Sequence, residues 1–132
     1  MTVFKIETNF GNVHISKHVV GRIVAEAIES FDGRVMLSNS RGKILSQSKK
    51  TGSMDKTEYL EYSFEDERLV IKVNVVIRFG NSISKIANQL SERIQAELYR
   101  HLELEASYIG ISITGVLSKQ LARRNILINF YK

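Results

Sequence analysis

An α+β sandwich is the fold this sequence predicts: a two-layer arrangement with two helices on one face of a mixed or antiparallel sheet, split βαβ-like in order. Three observations lead there. Residues 17–31 and 82–104 carry apolar side chains at helical spacing. Several shorter stretches alternate apolar and polar residues with the period of a strand. The order of these elements, strand, helix, several strands, helix, strand, is satisfied economically when both helices cover one side of one sheet. With 132 residues, 43% hydrophobic and 25% charged, the chain has the size and balance of one globular domain.

The elements follow in order. A strand over Val3–Glu7 turns at Asn9-Phe10-Gly11 into a second, Val13–Ile15. The first helix runs from Lys17 to Phe31, with Val19, Val20, Ile23, Val24, Ala27, Ile28 and Phe31 on one face. Ser16 is placed to cap its start and Gly33 to end it. Val35–Ser38 and Lys43–Ser46 flank a tight turn at Ser40-Arg41-Gly42, and Ser48–Asp55 reads as a loop. Tyr59–Phe64 and Leu69–Phe79 form a hairpin about Glu65-Asp66-Glu67. In the longer strand Leu69, Ile71, Val73, Val75, Ile77 and Phe79 point inward.

The second helix spans Ser82–Leu104, with Ile83, Ile86, Ala87, Leu90, Ile94, Leu98 and Leu102 as its buried stripe and Asn81 or Ser82 as its cap. Tyr108–Leu117 is a strand with Ile109, Ile111 and Ile113 inward. Residues 1–118 therefore make a single α/β domain, and 119–132 a basic C-terminal extension. In that extension a short basic helix or turn near Gln120–Arg124 leads into a strand-like run, Asn125–Tyr131, which serves as an added edge strand or a docking segment.

The residue inventory leaves little for catalysis. There is no cysteine, which removes disulfides, thiolate nucleophiles and Cys-based metal sites. His14 and His18 straddle a strand end and a helix start, and no motif ties them to Glu26 or His101. HExxH, EF-hand and G-x-S-x-G patterns are absent. The carboxylates of Glu65-Asp66-Glu67 sit at a hairpin tip, where solvent keeps them ordinary acids. No two glycines are two or three apart, so G-x-G-x-x-G, Walker A and the RNA-clamping GxxG loop are all missing. No enzyme activity, metal or cofactor is expected.

The formal net charge of +5 is unevenly spread. Residues 34–56 carry Arg34, Arg41, Lys43, Lys49, Lys50 and Lys56 against Asp55 alone, and residues 57–67 carry five acids and no base. A basic stretch binds phosphate backbones or stays a solvated loop, and the acidic block beside it offsets it. Glu7 breaks any signal-peptide core, and the longest uncharged stretch, Ala106–Ser118, is too short to cross a bilayer. A soluble protein is expected, reaching a membrane only through a partner.

Two stretches carry a family likeness. Gly11-Asn12-Val13-His14-Ile15-Ser16, then Val19-Val20 and Ile23-Val24-Ala25-Glu26-Ala27, resembles the opening of the alkaline shock protein family. Val70 through Ile83 is similar to that family's long strand, aromatic-glycine pair (Phe79-Gly80) and helix start, and Ile86-Ala87-Asn88-Gln89-Leu90 continues the match. Ile111-Ser112-Ile113-Thr114-Gly115-Val116 resembles its closing strand. The likeness covers about residues 10–117. Phe79 stands where a tyrosine is usual, the turn Glu103–Ser107 lacks the usual glycine, and the tail from Ser118 lies outside the pattern.

The resemblance implies a non-enzymatic, bacterial envelope-stress protein of the cytoplasm, some relatives being held at the membrane by a partner protein. It offers no catalytic residues. The leading functional expectation is a structural or adaptor protein that self-associates or docks on a protein partner, with Arg123, Arg124, Ile126, Ile128, Phe130 and Tyr131 as candidate partner-binding residues. The second reading is a small basic nucleic-acid-binding module, with Arg41, Lys43, Lys49 and Lys50 as candidate anion-binding residues.

Overall fold

The computed structural model describes residues 3–8, 11–44, 59–65 and 68–132, with side chains from Val19 onward. Its elements are β1 (Val3–Thr8), β2 (Gly11–Ser16), α1 (Lys17–Glu29), β3 (Val35–Leu37), β4 (Leu60–Glu65), β5 (Arg68–Arg78), α2 (Ile83–Leu102), β6 (Ala106–Leu117) and β7 (Leu121–Tyr131). Strands β1 and β2 form an antiparallel pair of their own. The main sheet is mixed, in the order β3-β5-β6-β7, with β4 also paired to β5. The α+β sandwich read from the sequence is the fold observed.

Strand β5 organises the sheet. Its first half pairs antiparallel with β4 and its second half with β3, so both share one edge. On the other edge β5 runs parallel to β6, a pairing that needs a long crossover, and α2 supplies it. Ser82 accepts the Lys85 N–H at 3.4 Å at the start of α2, and Glu103 ends it with a left-handed φ of 54°, its N–H donating to the Tyr99 carbonyl. This turn is thus made by a residue with a side chain held in the left-handed conformation that favours glycine.

Both helices cover one side of the sheet. Val20, Val24, Ala27 and Ile28 of α1 and Ile86, Leu90, Ile94 and Leu98 of α2 share a single core with Leu69, Ile71, Val73, Val75, Ile77, Ile109, Ile111 and Ile113. Gln95 fastens α2 to the first residue of β6: its Nε2 donates to the Ala106 carbonyl at 2.7 Å, and its Oε1 accepts the Ala106 N–H at 2.9 Å.

Two sequence expectations need correction. Phe79 is not inward. Strand β5 ends at Arg78, and Phe79 begins the turn to α2 with 72% of its surface exposed. Nor does a helix or turn occupy Gln120–Arg124. The chain bends over Ser118–Gln120 and then enters β7, an unbroken strand antiparallel to β6. With no proline in the chain, nothing prevents strand pairing from starting at once. Lys132 closes the tail, its N–H donating to Ser107 at 3.0 Å and its Nζ meeting Glu105 at 2.9 Å.

Of the predicted elements, Asn9-Phe10 and Asp66-Glu67 of two turns, Leu45–Ser46 of the strand Lys43–Ser46 and the loop Ser48–Asp55 lie outside the described residues.

Candidate docking edge and outward sheet face

The alternation of β7 sorts its side chains. Ile126, Ile128 and Phe130 are partly buried and pack against the core. Leu127, Asn129 and Tyr131 face the other way and are exposed, Tyr131 by 78%. Of the candidate partner-binding residues, the three even-numbered apolar ones therefore hold β7 onto its own domain. Leu127 and Asn129 were missed, although the odd–even parity of Asn125–Tyr131 contains that signal.

Backbone direction follows from one hydrogen bond. Lys132 N–H bonds to Ser107, and the register places Tyr131 opposite Tyr108. In an antiparallel ladder hydrogen-bonded and non-bonded pairs alternate, so Ile126, Ile128 and Phe130 direct their N–H and C=O toward β6. Leu127, Asn129 and Tyr131 direct theirs away from it. Strand β7 ends the sheet order, so these groups form its outer edge.

The sheet face opposite the helices carries a tyrosine pair. Tyr108 and Tyr131 are cross-strand neighbours with ring centroids 5.1 Å apart. The Tyr108 ring leans over Gly110, where a Cβ would come within 3.1 Å of three of its atoms, and its hydroxyl donates to Asn129 Oδ1. Burial, and secondarily Tyr131, push the Tyr108 phenol above its ordinary range. Burial does the same to Tyr62 on β4.

At the far end of the same face, two of the predicted cationic groups meet. Asn39 Oδ1 accepts the N–H groups of Arg41 and Lys43, each at 2.9 Å, and the Gly42 N–H donates to the Asn39 carbonyl at 3.1 Å. At Gly42, whose φ is +89°, a Cβ would lie 3.4 Å from the Thr114 carbonyl and the Leu121 side chain and 4.0 Å from Arg123 Cγ, ordinary contact distances, so it is the backbone angle that calls for glycine. Arg41 and Lys43 therefore flank Arg123, and all three are exposed. Arg124 is exposed next to them, its Nη1 donating to the Arg123 carbonyl. Lys49 and Lys50 lie outside the described residues.

The side chains of His14 and His18 lie outside the described residues. His101 is at 3.3 Å from Glu97, with Arg100 on the same carboxylate, on an exposed face of α2. Among the described residues no cluster of three or more His, Asp or Glu is placed to hold a metal. No described helix is long and apolar enough to cross a membrane.

These features define a small α+β protein whose sheet turns one face away from its helices and has β7 at one end of its strand order. The chain belongs to the alkaline shock protein family, described as having a cell envelope-related function, and the family pattern matches residues 5–118. It is the family that the sequence resembles, and it is not known as an enzyme family. A curated relative, the uncharacterized protein YqhY of Bacillus subtilis (strain 168), is 27% identical over 111 residues, covering 83% of this chain and 80% of that protein. No solved structure matches.

Proposed function

We propose that the protein is a non-enzymatic adaptor of the envelope stress response type, acting in the cytoplasm by self-association or by docking on a protein partner, and reaching the membrane only through that partner. The observation that carries this reading is the outer edge of β7. An edge strand presents unpaired backbone groups that can template another strand, and natural edges are commonly blunted with charge, proline or bulges. From Asn125 to Tyr131 this edge has no charged residue and no proline. Its even side chains fix the strand from within, which pre-orders the edge for pairing.

The test is an edge block. Leu127→Pro removes an N–H that points away from β6 and leaves the ladder to β6 intact. Tagged full-length protein and the variant are compared in its own organism's lysate, treated with nuclease, and in sedimentation of the purified chain. Self-association, or nuclease-resistant capture of an envelope protein, that is lost in Leu127→Pro supports the reading. Association unchanged by the variant, or absent from both, overturns it.

A further inference from the structure

We propose that the sheet face opposite the helices binds single-stranded nucleic acid along β6 and β7, with bases stacking at Tyr108 and Tyr131 and phosphates held by Arg41, Lys43 and Arg123. The inference is independent of edge docking, which uses the backbone of β7 rather than this face.

Two features at opposite ends of one face carry it. At one end, Tyr131 is the most exposed large apolar side chain described, and it stands 5.1 Å from a second ring whose orientation is fixed by Gly110 beneath it and Asn129 beside it. An exposed ring on an ordered strand is a platform for a flat partner, and every base offers a π-face. At the other end, three cationic residues from two separate chain segments are neighbours, because Gly42, held at φ +89°, turns residues 39–43 back toward Arg123. Among the described residues none of the three is in an ion pair.

Geometry narrows the ligand. From Arg123 to Tyr131 the strand covers about 26 Å at 3.3 Å per residue, enough for a short single strand. The residues between, Leu127, Asn129 and Ser112, carry no charge. Lys72 on β5 stands opposite Glu61 on β4 in the register, so their charges offset and the path keeps to β6 and β7. Paired bases are closed to ring stacking, which sets a duplex apart from a single strand.

Fluorescein-labelled ten-residue oligo(dT) and oligo(rU) are titrated with the full chain by fluorescence anisotropy at 50 mM and 200 mM salt. A duplex of the same length and polyglutamate serve as rivals. Both single strands are expected to bind more tightly than either rival and to weaken with salt. Tyr131→Ala is expected to weaken binding roughly five- to hundred-fold. Arg123→Ala is expected to lower the salt slope by about 0.7, while Tyr99→Ala, an exposed tyrosine on α2, leaves binding unchanged.

The chain has no tryptophan, so Tyr131→Trp gives a second readout, quenching of its fluorescence on stacking. Absence of single-strand binding at 50 mM salt overturns the proposal. So does binding to duplex or polyglutamate as tight as to single strands, or binding indifferent to Tyr131→Ala with no quenching of the tryptophan variant.

Discussion

The hydroxyls of Ser38 and Thr114 meet in the interior at 2.6 Å, although 76 residues separate them in sequence. Each hydroxyl also has a carbonyl within reach, Thr114 Oγ1 that of Val75 at 3.2 Å and Ser38 Oγ that of Asn39 at 3.1 Å, so either can donate across the pair while the other donates to its carbonyl. This contact joins the end of β3 to an irregularity in β6, where the register with β5 and β7 shifts. The turn Asn39–Lys43 starts from that contact, and through Gly42 it reaches Arg123. A buried polar pair thus places the basic end of the open face.

Losing one hydroxyl removes a buried hydrogen bond while the other hydroxyl keeps its carbonyl partner, at a cost of about 0.5–1.5 kcal/mol. Ser38→Ala and Thr114→Val are each expected to fall in that range in urea unfolding. Because the two side chains touch, the double variant is expected to cost less than the two together. Strict additivity would show that the pair does not act as a unit.

Ile71 and Leu90 are fully buried from opposite layers of the sandwich. Ile71→Asp or Leu90→Asp buries an unpaired charge and is expected to cost on the order of 4 kcal/mol or more. Phe79→Asp, at a position 72% exposed, is expected to stay within about 0.5 kcal/mol. Thermal unfolding of the three variants separates the positions, and a large loss at Phe79 would contradict its outward placement.

Glu103 holds a left-handed conformation at the end of α2. For a residue with a Cβ that conformation costs about 1–2 kcal/mol. Glu103→Gly keeps the N–H bond to Tyr99 and removes the clash, at some cost in chain entropy. A net gain of about 0.5–1 kcal/mol is expected, read as a higher midpoint in urea at unchanged slope. A loss would mean that the side chain itself stabilises this turn.

Tyr62 and Tyr108 resist ionisation when folded, chiefly because burial disfavours the charged phenolate. Their unfolded counterparts release protons near pH 10. Below that pH both states are neutral and the stability contribution is complete. As pH rises further the unfolded chain ionises first, so stability falls until the folded tyrosines also ionise. Tyr62→Phe is therefore expected to flatten the alkaline limb of the stability curve relative to the unmodified chain, and parallel curves would contradict this.

The layers of the fold were legible because burial imprints a period on each element. Leu69 through Ile77 alternate, α2 repeats its apolar stripe, and both patterns survive in the structure. Where a period runs out, so does the signal: Phe79 continues the alternation of β5 in sequence but lies one residue beyond the strand. The same holds for Gln120–Arg124, whose polar run carries no period although pairing with β6 makes most of it a strand. The surface was partly legible. Arg41, Lys43, Arg123 and Tyr131 could be singled out by type, but their arrangement depends on the Ser38–Thr114 contact and the left-handed turn at Gly42. No local pattern announces either.

Docking through β7 rests on which of its amides are free, and hydrogen exchange reads them individually. In the dilute chain, Ile126, Ile128 and Phe130 are expected to exchange slowly and Leu127, Asn129 and Tyr131 fast. On self-association, or on binding the captured envelope protein, the three fast amides are expected to become protected together. Fast exchange that persists at all three in the associated state would contradict docking through this edge.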